Sequence, residues 1–194
     1  KVIDDNAKKV GVPGKDLQVF AAIESSLNPQ AKAPTSSASG LFQFTNSTWN
    51  DSVKRYGAKH GIDHTDQPTN IKASTIMAGE YMKTNMQSIK QTVPNPGLVE
   101  AYLAHFLGAG GARTFLNANP QAVGAFVFPQ AASANRSIFF DGHKPRTIAE
   151  IYAHVAERLQ NAAKAYGISG VSISKTFPIR SSKTTGNMSS VELA

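Results

Sequence analysis

The chain has no cysteine and a single tryptophan among its 194 residues. The first absence excludes a disulfide framework and thiolate catalysis, and it leaves the compartment open, because proteins of oxidising compartments can also lack cysteine. No stretch reaches the roughly 20 consecutive apolar residues that a membrane-spanning helix needs, which predicts a soluble domain with no integral membrane segment. Acidic residues are fewer than basic ones, 13 against 20, so the formal net charge is +7. Such an excess attracts anionic partners, which include nucleic acid, phospholipid surfaces and bacterial wall polymers. The chain lacks the basic and aromatic interleaving of an RNA-binding module and the spacing of a zinc finger, so no nucleic-acid partner is expected. It opens at Lys1 without an initiator methionine or a charged-then-apolar leader, as expected of a mature form or an excised domain.

Alternation of apolar and polar residues over strand length is scarce, and helical spacing fills the space it leaves. With 41% hydrophobic and 17% charged residues, the composition suits one folded core followed by a tail. The expected first helix starts near Lys15 or Asp16, carries Leu17, Phe20, Ala21, Glu24 and Leu27, and stops at Asn28-Pro29. A loop rich in Ser, Ala and Pro follows to Gly40. A second helix, capped near Asn46 or Ser47, carries Trp49, Val53 and Tyr56 and ends at Gly57. A third, after Pro68, turns Ile76, Met77 and Tyr81 inward. A fourth, after Pro94-Asn95-Pro96-Gly97, carries Leu98, Ala101, Tyr102 and His105. Asn119-Pro120 reads as the start of a helix that Pro129 interrupts. Thr147-Ile148-Ala149-Glu150 has capping-box spacing and opens the clearest amphipathic stripe: Ile148, Ile151, Tyr152, Val155, Leu159, Ala162 and Tyr166, ended by Gly167. Beyond Gly170 the composition turns to Ser, Thr, Lys and Gly, so residues 1–170 are expected to form the domain and 171–194 a flexible extension or linker.

Glu24 falls seven residues after Leu17, on the face that also carries Phe20 and Ala21. A carboxylate on an apolar face can be a boundary residue paired with Lys or Arg. It can also be an acid whose pKa desolvation raises until it donates protons near neutral pH. Helix position does not choose between the two. His60, Asp63, His64 and Asp66 cluster in sequence, but Gly61 interrupts them and no metalloprotease motif is present, so they read as a solvated loop rather than a metal site. Gly108-Ala109-Gly110-Gly111 lacks the Lys-Ser/Thr ending of a phosphate cradle and reads as a tight interhelical turn.

The local words around Glu24 decide more. Glu24-Ser25-Ser26-Leu27-Asn28-Pro29-Gln30-Ala31 resembles the Glu-Ser-x-x-Asn-Pro-x-Ala motif of lytic transglycosylases related to goose-type lysozyme. Gly40-Leu41-Phe42-Gln43 resembles their Gly-Leu-x-Gln motif, in the family's order and at a suitable separation, and Thr48-Trp49 continues it. Ala104-His105-Phe106-Leu107-Gly108-Ala109-Gly110 lies on the family's Ala-Tyr-Asn-Ala-Gly-x-Gly segment with His105 in place of Tyr and Phe106 in place of Asn. That variant, with Ala134-Asn135-Arg136-Ser137-Ile138-Phe139-Phe140, resembles transglycosylase domains of bacteriophage virion and tail proteins. The resemblance covers about Leu17 to Leu159.

The resemblance implies a mainly α, single lysozyme-like (goose-type) helical domain with a long substrate cleft. It implies a peptidoglycan lytic transglycosylase that cleaves the β-1,4 bond between N-acetylmuramic acid and N-acetylglucosamine and leaves a 1,6-anhydromuramic acid end. Glu24 is then the single catalytic acid and base, and Ser25, Gln43, Phe42, Tyr102, His105 and Tyr152 are the candidate substrate-binding residues. In the family the tyrosine of a late helix hydrogen-bonds the catalytic glutamate, and Ile151-Tyr152-Ala153-His154-Val155 resembles that helix. Neither metal nor organic cofactor is implied. The expected partners are glycan strands and, through the termini, a larger virion or secretion assembly. The expected location is a phage virion acting in the periplasm, or the periplasm or extracellular space itself. Two alternatives stay open: a hydrolytic muramidase of the same fold using an acid such as Asp51 or Asp63, and a catalytically inactive wall-binding virion module.

Overall fold

Eight successive residues of one helix, Ala73 to Glu80, are buried, and a helix hidden all round must run through the middle of its domain. In the computed structural model, which describes residues 1–178, this helix is α4 (Ile71–Ile89), capped by Asn70 through a bond from the Ala73 amide. It packs between α1 (Val2–Val10) and α5 (Leu98–Asn117). Helix α2 (Gly14–Ser25) lies against α1 and against α9 (Ile148–Ala165). The core where they meet is built on fully buried Leu17, Ile76, Met77, Leu103, Phe115, Ile151 and Leu159. The fold is mainly α, as expected. No helix among the described residues is long and apolar enough to cross a membrane.

Several boundaries differ from those the local signals predict. Helix α1 was not anticipated: Asp4, Asp5, Lys8 and Lys9 dominate it, and only Asn6, Ala7 and Val10 are buried, so its apolar stripe is too narrow to stand out. Helix α3 (Asn46–Ser52), capped by Thr45, passes into a π-helical turn at Val53–Gly57 and a 3₁₀ turn at Ala58–His60. Gly57 is therefore helical, and the termination falls at left-handed Gly61 (φ 64°). Glu80, buried on α4, holds that end in place: Lys59 Nζ and His60 Nε2 each lie 2.8 Å from its Oε1. His60 thus faces the core, while Asp63 and Asp66 accept bonds within their own turn from Thr65 and Asp63 amides.

Pro120 sits in a turn rather than at a helix start. The short helices there are α6 (Gly124–Val127) and α7 (Pro129–Ala134), and Pro129 occupies the first helical position, where its missing N–H costs nothing. Helix α8 (Arg136–Phe139) leads into a two-stranded antiparallel ribbon, β1 (Phe140–Asp141) and β2 (Lys144–Pro145). The capping box at Thr147 and Glu150 is formed as predicted and opens α9. Its stripe is buried from Ile148 to Leu159, whereas Tyr166 is exposed. Residues 171–178, within the expected extension, lie along the domain: Gln160 Nε2 donates to the Ile173 carbonyl, and the Phe177 ring meets Tyr152 edge-on at 5.5 Å. The remainder of the expected extension lies outside the described residues.

Candidate active site

Helix α2 stops right after Glu24-Ser25, two residues short of the Asn28-Pro29 stop that the sequence suggested. Ser26 and Leu27 both take left-handed backbone (φ 54° and 61°), and the Ser26 and Leu27 amides return to the Ala22 and Ala21 carbonyls. Two consecutive non-glycine residues in that region cost about 1–2 kcal/mol each, a strain that surrounding contacts must hold. The Ser25 hydroxyl supplies one contact: it lies 2.9 Å from the carbonyls of Ala21 and of Leu41, linking the helix end to the Gly40–Gln43 turn. Gln43 is left-handed as well (φ 50°), and its amide donates to the Gly40 carbonyl at 2.9 Å. Gly40 (φ 78°) has no room for a side chain, since a Cβ there would lie 2.0 Å from the Pro68 carbonyl oxygen. The two motif segments are thus one braced corner, and every non-glycine residue with positive φ among the described residues belongs to it.

This corner presents Glu24 to an aromatic wall. Phe20, one turn earlier on α2, meets Tyr102 edge-on at 5.2 Å and His105 at 5.6 Å, and the Tyr102 and His105 rings stack at 5.9 Å. The Tyr102 hydroxyl donates to Glu24 Oε1 at 2.8 Å. His105 Nε2 lies 3.6 Å from the same oxygen, outside hydrogen-bond range. Burial first, and the Glu24 carboxylate second, push the Tyr102 phenol far above its ordinary range, so it stays protonated and acts as a donor. Glu24 and His105 retain 19% side-chain exposure each, enough to meet a ligand from the cleft.

The cleft runs from this wall along α4. Its inner part is a narrow crevice lined by Phe20, Phe44, Met82, Ala101 and His105 together with Tyr81 and Asn85. Tyr81 and Asn85 also line the outer part, a cavity of about 400 Å³ closed by Thr48, Asp51, Arg55 and Tyr56 and by Ala109 of α5. Gly108 (φ 71°, ψ 165°) is non-helical and divides α5 into two helical segments beside this cavity, so the glycine run makes the tight turn between helices that the sequence suggested.

Residues 1–121 match the family described as Transglycosylase SLT domain. The chain belongs to the transglycosylase SLT family. Members of this family are lytic transglycosylases that act on peptidoglycan, and the all-α, lysozyme-like fold found here is theirs.

Against the SLT pattern, the expected site residues divide. Glu24, Tyr102 and His105 come together. Ser25 and Gln43 stand beside them, but their donors are engaged within the corner. Phe42 and Phe44 are buried in the core and line the inner crevice, and Trp49 is core, with its Nε1 bonded to the Asp66 carbonyl. Tyr152 requires a correction. It is 2% exposed, and its hydroxyl donates to Glu100 Oε1 at 2.5 Å, not to Glu24. Glu100 is fixed by its other oxygen, which accepts the Gly97 amide at 2.7 Å and caps α5. The phenol that reaches Glu24 is Tyr102, and its signal in the sequence was the Tyr102, His105, Phe106 stripe at helical spacing. Asn85 and Tyr81 also line the cleft and lie outside the motif segments singled out in the sequence.

Proposed function

We propose that this SLT domain cleaves the β-1,4 bond between N-acetylmuramic acid and N-acetylglucosamine with Glu24 as its one acid and base, leaving a 1,6-anhydromuramic acid end. The observation that carries the reading is the Tyr102–Glu24 hydrogen bond beside His105, which lines the inner crevice. Because Tyr102 donates to Oε1, that oxygen must be an acceptor, and the proton of the neutral acid belongs on Oε2. Oε2 delivers it to the glycosidic oxygen while positive charge develops at C1 of the muramic ring. The carboxylate so formed takes the proton from the C6 hydroxyl as that oxygen closes on C1. Tyr102 keeps its bond throughout and restrains the carboxyl rotamer.

Among the described residues the aromatic wall and inner crevice carry no second carboxylate beside Glu24, which supports intramolecular attack over hydrolysis. Asp51 lines the outer cavity, however, and could direct a water, so the hydrolytic reading has one residue in its favour. Mass spectrometry of muropeptides released from purified sacculi separates them, since an anhydro end lacks one water. The Glu24→Gln chain should release none while melting at the same temperature; equal release would reject Glu24.

We further propose that the catalytic unit extends at least to Pro178, because Phe177 packs over Tyr152. The His105-Phe106-Leu107-Gly108 segment supports a place in a phage virion or tail protein that opens the wall locally, with attachment through the termini.

A further inference from the structure

Asn85 is a polar side chain of the cleft that the proposed reaction leaves unused. It sits on α4, 5% exposed, yet its amide makes no hydrogen bond to any described residue, and none of its polar atoms is sealed from solvent. Its polar atoms therefore reach water through the cleft, and a ligand that displaces that water must replace its hydrogen bonds to bind well. The surroundings define that ligand. Asn85 stands where the inner crevice and outer cavity join, and both are lined by it and by Tyr81. The inner crevice has room for about one water-sized group, and apart from Asn85, Tyr81 and His105 its lining is apolar, with Phe44, Ala78 and Met82 among it. A group that puts a methyl into such a crevice and an amide at its lip matches both features. The acetyl side chain of an amino sugar is that group, and a plain hydroxyl is not. Gln43, the amide of the braced corner, is already engaged, donating to the Gly40 and Ala31 carbonyls.

We propose that Asn85 reads the 2-acetamido group of an N-acetylhexosamine held in the stretch of cleft next to Glu24, with the acetyl methyl in the crevice. The assignment rests on the proposal that this cleft binds the glycan strand. Asn85 touches no reacting atom; it sets which sugar is held.

The test is calorimetric binding of two neutral β-1,4-linked hexamers, N-acetylglucosamine hexamer and cellohexaose, to the Glu24→Gln chain with and without Asn85→Leu. Leucine has a similar size and suits a buried helix position, and melting curves check that the fold is kept. The Glu24→Gln background should prefer the acetylated hexamer at least tenfold. Asn85→Leu should weaken that ligand about 5- to 10-fold, one hydrogen bond's worth, and leave cellohexaose unchanged. No preference in the background, equal binding of the acetylated hexamer after Asn85→Leu, or equal weakening of both ligands would each overturn the assignment. Muropeptide release by the unmodified chain is measured alongside. A chain that releases none refutes the reading of the cleft itself, whereas release together with binding indifferent to Asn85 refutes only this residue's role.

Discussion

Two tyrosines, Tyr102 and Tyr152, each donate to a glutamate, and removing their hydroxyls one at a time distinguishes catalysis from architecture. In Tyr102→Phe the ring still meets Phe20 edge-on and Glu24 loses only its donor. Glu24 is partly open to the cleft, so water replaces some of that bond, and the net loss should sit near the 0.5–1.5 kcal/mol of an ordinary hydrogen bond. At about 1.36 kcal/mol per factor of ten, turnover should fall roughly 2- to 13-fold, with melting little changed. Tyr152→Phe should do the reverse. It leaves the buried Glu100 Oε1 without its phenol donor, which costs about 1–3 kcal/mol of stability, or roughly 2–12 °C in melting temperature, with turnover near the parent value. Muropeptide release rates and thermal melts on both variants complete the experiment. If Tyr152→Phe lost turnover and Tyr102→Phe did not, the assignment of Tyr102 as the positioning residue would be refuted.

Gly40→Ala should destabilise the chain by about 2–4 kcal/mol and lower turnover with it, because the added Cβ meets the Pro68 carbonyl in a left-handed backbone and displaces the corner that carries Glu24; melting and release should move together. Burial alone would raise the Glu80 pKa, but the hydrogen bonds from Lys59 and His60 together outweigh it and hold the carboxyl below its ordinary range. A group depressed on folding contributes stability above its unfolded pKa, about 4.3, and loses it as pH falls through the folded value. Glu80→Gln should therefore melt lower at neutral pH and show a shallower decline in acid, and an unchanged acid limb would contradict this.

The sequence by itself determined what depends on neighbours in the chain. The Thr147 capping box, the α9 stripe, the Asn46 helix start and the Glu24 and Gly40 motifs all act within a turn or two, so residue type and spacing suffice to read them. Short-range reading erred where a competing local geometry won: Gly57 stayed helical because Gly61 ended that segment, and left-handed Ser26 and Leu27 stopped α2 before the proline. Only the tertiary structure decided which tyrosine meets Glu24, because the choice between Tyr102 and Tyr152 depends on how α2 lies across α5 and α9. Tyr102 is 78 residues from Glu24 in the chain, and no periodicity within one helix encodes that encounter. The same holds for Asn85. On α4 it stands among polar neighbours, Lys83, Thr84, Gln87 and Ser88, and it becomes the lip of a crevice only once α2 and α5 are packed on either side.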